Sequence, residues 1–330
     1  MTQNYHIFNA GELKREENTL AFRSEDGELT HIPVESVEIL VFHNPVQVNT
    51  RLLDFLDSHK ISVFFFNWSG KFVGSYNPTQ SPVSGELLVK QVDSTQHPGR
   101  RNDISTEIID GSIHNMKRNI SYYCNDYEAL EHIKKTLERI RNELKTAKSR
   151  EELMGKEAEA RKQYYNLFSI VSPDDMKFHK RSYQPPENEI NALISFGNSI
   201  LYSNVEAAIC STGLNPTISY VHTPGNRRQS LALDIADIFK PVIVDRIILR
   251  LLNRKQIRND DFESEIKSVT LTETGRKTFL KEYEKTLEET IEHPDLNRHV
   301  SYQTLLRLEA QKLKKTILTS EEYTSFKRWW

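Results

Sequence analysis

Thiols are scarce in this chain of 330 residues: Cys124 and Cys210 are its only cysteines, and neither belongs to a pairing motif. That excludes a disulfide-stapled scaffold and a thiolate zinc centre. Both lie in helical patterns, where a buried thiol is the expectation. No run approaches the roughly 18 apolar residues of a membrane helix. The two most apolar stretches, 61–68 and 242–252, are short, and Asp245 and Arg246 interrupt the second. The first residues carry neither a basic nor an apolar leader region, so no secretory signal is visible, and a cytoplasmic protein without membrane association is expected. A strong charge of one sign is also missing. Lys+Arg 44 against Asp+Glu 46 leaves a formal net charge of -2, which argues against a general polyanion binder. Internal repeats and low-complexity segments are absent, which excludes solenoids and arrays.

What is present is unevenly distributed. Residues 1–92 hold 7 basic and 11 acidic side chains, while the remainder holds 37 and 35, so the balance turns positive there. The first ninety residues read as β structure. Segments 4–10, 19–24 and 36–42 are rich in β-branched and aromatic residues and are punctuated by Gly11, Gly27 and Asn44-Pro45. An amphipathic helix capped by Thr50 or Asn49 fits 50–59, and a hairpin fits 61–67 with 72–76. Residues 93–101 have the composition of a linker. Thereafter the apolar period becomes helical, over 104–124, 126–146, 150–171, 187–212, 229–254, 273–292 and 301–319, with a break expected at Pro241. The fold class is therefore α+β and multidomain. A small N-terminal β-sandwich-like domain (1–92) is followed, after a linker (93–101), by a larger all-α domain (102–330).

The chemistry concentrates between Tyr220 and Pro241. His222 sits in a Pro/Gly turn, and Asp234 and Asp237 follow among Leu, Ala, Ile and Phe. Carboxylates three apart share one helical face, and charges on an apolar face need a partner. A divalent cation is the simplest one. Two carboxylates and one imidazole suit Mg²⁺ or Mn²⁺. A further ligand can come from the segment 153–160, where Glu157 and Glu159 both qualify and spacing does not choose between them. Basic residues flank these acids, with His179-Lys180-Arg181 before one helix and Arg227-Arg228 before another, as a phosphodiester substrate requires. Lys180, Arg181, Arg227 and Arg228 are the residues expected to contact such a substrate, which the resemblance described next implies is DNA.

Four blocks in order resemble the CRISPR-associated endonuclease and integrase of the adaptation module, the larger Cas1 subunit, with wording that leans toward type I systems. They are 36–42 with 61–65 and 69–74; 153–158; 181–186 with 191–202; and 213–216 with 220–222, 230–234, Asp237 and 239–241. Departures are small: Ala158 stands where glycine is commoner, and Lys240 where arginine is. The resemblance implies that Glu157, rather than Glu159, is a metal ligand together with His222 and Asp237, and that Asp234 is an accessory catalytic acid. It implies a metal-dependent DNA endonuclease and integrase, with catalytic residues Glu157, His222, Asp237 and Asp234. Such an enzyme inserts foreign DNA into a CRISPR array by attack of a 3′-hydroxyl on phosphodiesters, with His222 open to a part in proton transfer. The implied partners are protospacer, CRISPR-repeat and branched DNA, a second copy in a homodimer, and a small Cas2 subunit. The alternatives are a non-catalytic nucleic-acid-binding scaffold of the same fold and a hydrolase of small phosphoesters. The terminal Trp329 and Trp330 are expected either to pack on the helical domain or to meet a partner.

Overall fold

The computed structural model describes residues 2–67, 70–79, 84–223, 229–319 and 321–329. The chain divides into two compact units, Met1–Val83 and Ser84–Trp330.

The first unit holds β1 (Gln3–Ile7), β2 (Gly11–Glu16), β3 (Thr19–Ser24), β4 (Leu29–Pro33), β5 (Val37–Phe42), β6 (Val46–Gln47), α1 (Thr50–Ser58), β7 (Ser62–Phe66) and β8 (Phe72–Tyr76). They form two four-stranded sheets, in the orders β1-β5-β7-β8 and β4-β3-β2-β6. The first is mixed: β1, β5 and β7 run parallel, and β8 returns antiparallel on β7 as the expected hairpin. Trp68 and Ser69 of its turn lie outside the described residues. Inward residues of both sheets share one core. Leu13, Leu20 and Ile32 meet Leu40, Phe42 and Val63, and α1 adds Leu52, Phe55 and Leu56. Asn49 caps α1 by accepting from the Leu52 N–H at 3.0 Å. β2 escapes a pattern search because Leu13 is its one inward apolar side chain.

The second unit begins with α2 (Gly85–Gln96) and α3 (Pro98–Tyr123), then α4 (Ala129–Glu143), α5 (Arg150–Val171), α6 (Glu189–Thr212), α7 (Ser230–Phe239) and α8 (Val244–Asn253). It continues through β9 (Phe262–Glu265), β10 (Ser268–Leu271), α9 (Glu273–Glu288), β11 (Thr290–His293), β12 (Arg298–Ser301) and α10 (Tyr302–Thr319). The expected linker 93–101 is corrected here. Those residues finish α2 and start α3, with His97 as the only break, and the division between units falls at 83/84. Pro98 in that stretch is an N1 proline and His97 its cap, so residues that resemble a linker are a helix start. The all-α expectation is also refined by two antiparallel hairpins, β9–β10 and β11–β12. The helix read over 273–292 ends at Glu288, because Ile291 pairs with Val300 across the second hairpin. Both cysteines are half-buried rather than buried. Among the described residues no helix is long and apolar enough to cross a membrane.

α6 is the hub. It packs against α7, α8, α10 and β10, and Gly197 lets α6 approach the Phe279 ring and Val244, which an added Cβ would meet at 2.6 and 2.7 Å. Gly213 ends it in the left-handed region at φ 84°, a conformation glycine adopts without strain.

The tail packs on its own unit. The Phe326 ring stacks on Phe239 at 5.2 Å, the Arg328 N–H donates to Asn115 Oδ1 at 2.8 Å, and Lys327 reaches Asp110 at 2.6 Å. The Trp329 ring meets His293 and Phe326 edge-on; Trp330 lies outside the described residues. Truncation after Ser325 removes the buried Phe326 ring and leaves the buried Asn115 Oδ1 without its donor, about 3 kcal/mol together. A drop in melting temperature of roughly 5 °C or more is the expected calorimetric result.

Candidate functional site

α7 is short, apolar and acid-bearing, and its place is fixed from outside. Pro241 has no N–H and stops the helix, which leaves carbonyls at its C-terminal end without helical partners. α3 supplies them. Ser112 Oγ donates to Asp237 O at 2.8 Å, Asn115 Nδ2 to Ile238 O at 2.9 Å, and Asn119 Nδ2 to Pro241 O at 2.6 Å. Residues 112, 115 and 119 follow helical spacing on a buried face. That polar stripe within an apolar pattern is the signal the sequence carries for this docking of α3 on α7.

Asp234 is wholly buried and every partner it has is a donor. Its Oδ2 accepts from the N–H groups of Tyr220 and Val221 at 2.7 and 3.0 Å; its Oδ1 accepts from the His222 N–H at 3.0 Å and from His222 Nδ1 at 2.7 Å. One carboxylate therefore shapes the turn and fixes the imidazole. With Nδ1 protonated toward Asp234, Nε2 carries the lone pair, and it faces Asp237 Oδ2 at 3.9 Å. Arg150 Nε donates to Val221 O at 2.6 Å and holds the same turn against α5. Burial lowers the His222 pKa, but the hydrogen bond to Asp234 and the nearby Asp237 outweigh it, and the net shift is upward.

Asp237 sits between cations. Lys240 Nζ lies 2.5 Å from its Oδ1 and Arg161 Nη2 lies 3.1 Å from the same atom. Burial opposes ionisation there, yet Lys240, Arg161 and His222 hold this carboxyl well below the usual range. Arg161 also donates through Nε to Glu157 Oε1 at 2.5 Å. A single guanidinium thus spans Glu157 of α5 and Asp237 of α7. Arg161, four residues after Glu157 on the same helical face, is the residue of this cluster that sequence reasoning missed; an Arg one turn beyond an acid was the visible signal.

The structure brings Glu157, His222, Asp237 and Asp234 into one cluster. It does not bring three of them to mutual ligating distance: among the described residues no such His/Cys/Asp/Glu group exists. The donor set nevertheless fits a divalent ion. It offers two carboxylates and an imidazole nitrogen with its tautomer fixed, and Arg161 and Lys240 already show the carboxylates neutralised by positive charge. Glu159 points elsewhere, to Arg139 at 2.7 Å.

Of the expected DNA contacts, Lys180 has an exposed side chain. Arg181 does not. Its guanidinium donates to Asn191 Oδ1 and Ser195 Oγ, each at 2.9 Å, and ties the preceding segment to α6. Arg227 and Arg228 lie outside the described residues.

Asp245 lies behind the cluster, buried and with no hydrogen bond to Oδ2. Burial pushes its carboxyl up to about 6, against the pull of Arg161 and Tyr164. A raised carboxyl pKa contributes stability at low pH that is lost as pH rises through the folded value. Asp245→Asn should therefore match wild type near pH 4. Above pH 7 it should be more stable by about 3 kcal/mol, read as a melting-temperature difference across the pH series.

The profile of the family described as CRISPR associated protein Cas1 matches residues 5–285. A Haloferax volcanii protein named CRISPR-associated endonuclease Cas1 is 43% identical over 327 residues, which is 99% of each chain. A solved CAS1 protein from Thermotoga maritima superposes with a TM-score of 0.87 at 34% identity, covering 98% of this chain and 100% of that one. A casposase solved with its integration product has the same fold, with a TM-score of 0.88 at 18% identity over 99% and 94% of the two chains.

Proposed function

The chain belongs to the family of CRISPR-associated Cas1 proteins, and from that membership we propose that it is a divalent-metal-dependent DNA endonuclease and integrase. In this reading it inserts foreign DNA segments into a CRISPR array by 3′-hydroxyl attack on phosphodiesters. The observation that supports the reading is that Arg161 of α5 bridges Glu157 and Asp237 of α7, while His222 Nε2 of the 220–222 turn faces the same Asp237 at 3.9 Å.

Glu157, Asp237 and His222 Nε2 would hold Mg²⁺ or Mn²⁺, which when bound stabilises negative charge on the phosphodiester and the leaving oxygen. The chain's own residues prepare for it. Asp234 keeps the His222 proton on Nδ1, so that Nε2 stays available as a ligand. Lys240 and Arg161 keep Asp237 ionised. Both cations are charged at neutral pH and offset the negative charge of Glu157 and Asp237, which lowers the cost of bringing a polyanion to two carboxylates. Asp234 acts through His222 and is a positioning residue. The incoming DNA supplies the nucleophile, so no side chain needs to be one. Protospacer, repeat and branched DNA, a second copy of the chain and a small Cas2 subunit are the partners of this reading.

The test is a labelled branched duplex with and without Mg²⁺ or Mn²⁺. Cleavage and strand transfer should appear with the ion and vanish in excess chelator, while binding persists. Binding without turnover under either ion would replace the enzyme with a non-catalytic scaffold.

A further inference from the structure

Arg161 and Asp245 are both buried, 8% and 2% exposed, and each carries a polar atom without an aligned hydrogen bond. In Arg161 it is Nη2, which meets Asp237 Oδ1 at 3.1 Å as an ion contact only. In Asp245 it is Oδ2. An unmatched donor and an unmatched acceptor each cost free energy when buried, and a guanidinium set against a carboxylate would remove both costs. Among the cations that act on Asp245, Arg161 exerts the largest pull, ahead of Lys240 and Arg181. The other two are engaged elsewhere. Lys240 Nζ lies 2.5 Å from Asp237 Oδ1, and Arg181 donates to Asn191 Oδ1 and Ser195 Oγ. Asp245 is itself held in place. It stands in the first turn of α8, its N–H donates to Lys240 O at 3.0 Å, and its side chain hydrogen-bonds Tyr164. Tyr164 follows Arg161 by three residues on α5, so the two share a helical face.

The guanidinium of Arg161 meanwhile fills the gap between the two acids of the cluster. Glu157 gives it Oε1 and Asp237 gives it Oδ1. A divalent ion held by both acids would compete for that space. In a buried site of low dielectric it would also repel a guanidinium left beside it. An arginine side chain moves between rotamers without disturbing its helix, so the group can leave while α5 stays in place.

We propose that Arg161 is the counterion of the empty site and that Asp245 is its alternate acceptor: when a divalent cation occupies the cluster, the guanidinium passes from Glu157 and Asp237 to Asp245 Oδ2. The proposal rests on the reading of Glu157, His222 and Asp237 as a divalent-ion site, and adds Asp245 as a positioning residue that acts through Arg161. It gives a use to a carboxylate that lowers the stability of the empty protein above pH 7.

The test measures Mn²⁺ binding to the full chain at pH 8, through the electron paramagnetic resonance signal of the free ion. Binding that Glu157→Gln removes is assigned to the cluster, and melting temperature without the ion is the control for folding. Asp245→Asn should weaken that binding about tenfold, because the displaced guanidinium loses its ionic partner. Arg161→Gln should tighten it about tenfold, because no guanidinium has to leave. Added to Arg161→Gln, Asp245→Asn should change the affinity by no more than about twofold. If Arg161→Gln does not fold, Arg161→Lys takes its place. A lysine is a point charge that pairs with one acid and need not leave, so the effect of Asp245→Asn should again disappear. Equal weakening by Asp245→Asn in both backgrounds makes Asp245 a plain charge and overturns the proposal. Weaker Mn²⁺ binding in Arg161→Gln overturns it too, since the guanidinium would then support the loaded site. A wild-type chain with no Mn²⁺ binding that depends on Glu157 defeats the proposed function as well, whereas normal wild-type binding with an unaffected Asp245→Asn defeats only the exchange.

Discussion

Glu157→Gln should fold like wild type, bind branched DNA with unchanged affinity and lose divalent-dependent strand transfer by about a thousandfold. The reason lies in what the amide keeps and what it drops. Arg161 Nε can still donate to the side-chain oxygen now contacted at 2.5 Å, and its Nη2 still reaches Asp237 at 3.1 Å, so α5 and α7 stay tied. The negative charge is gone, and a neutral amide oxygen is a far weaker ligand for a hard cation. Asp237→Asn is the less clean experiment, because Lys240 and Arg161 would lose their shared buried counterion and the fold would suffer along with the chemistry. A gel-based transfer assay beside a binding titration separates the outcomes. Full transfer activity in Glu157→Gln removes the acid from the site.

Asp234→Ala should be the most destabilising single substitution near the site. Three backbone N–H groups and an imidazole lose their acceptor in a buried place, at a cost of about 4 kcal/mol or more by chemical denaturation. Asp234→Asn divides stability from activity. Its amide can present oxygen to only one side. Turned toward Tyr220 and Val221, the oxygen keeps those two bonds, and the NH₂ then donates to His222 Nδ1. That moves the ring proton to Nε2 and removes the lone pair from the face toward Asp237. Activity should fall by about 10–100-fold with a smaller loss of stability. An Asn variant as active as wild type would show that the tautomer does not matter.

Much of this was legible in the chain, for identifiable reasons. α5 shows its bounds because Ser149 caps it, Glu151 and Glu152 fill its first turn, and its apolar face is periodic. The break between α7 and α8 shows because Pro241 cannot be disguised. His222, Asp234 and Asp237 stood out as polar residues in an apolar run, and they do meet. What stayed hidden depends on distant pairing. The β9–β10 and β11–β12 strands are four residues each, too short to show alternation. Arg181 looked like a free cation because its acceptors, Asn191 and Ser195, lie on the next helix and only the fold turns them toward it. Arg161 looked like one of many charges until two acids from different helices closed on it.

Asn115 makes contacts that set an order of events. Its amide nitrogen donates to Ile238 O and Phe326 O, at 2.9 and 3.2 Å, while its oxygen accepts from the Arg328 N–H across 213 positions of chain. Closing so wide a loop is entropically slow relative to local helix formation. During synthesis α3, α5 and α7 can all be made while this junction is still missing its last strand of contacts. A ribosome-bound intermediate therefore carries every acid of the cluster and lacks the anchor that seats them until residue 328 has emerged and returned.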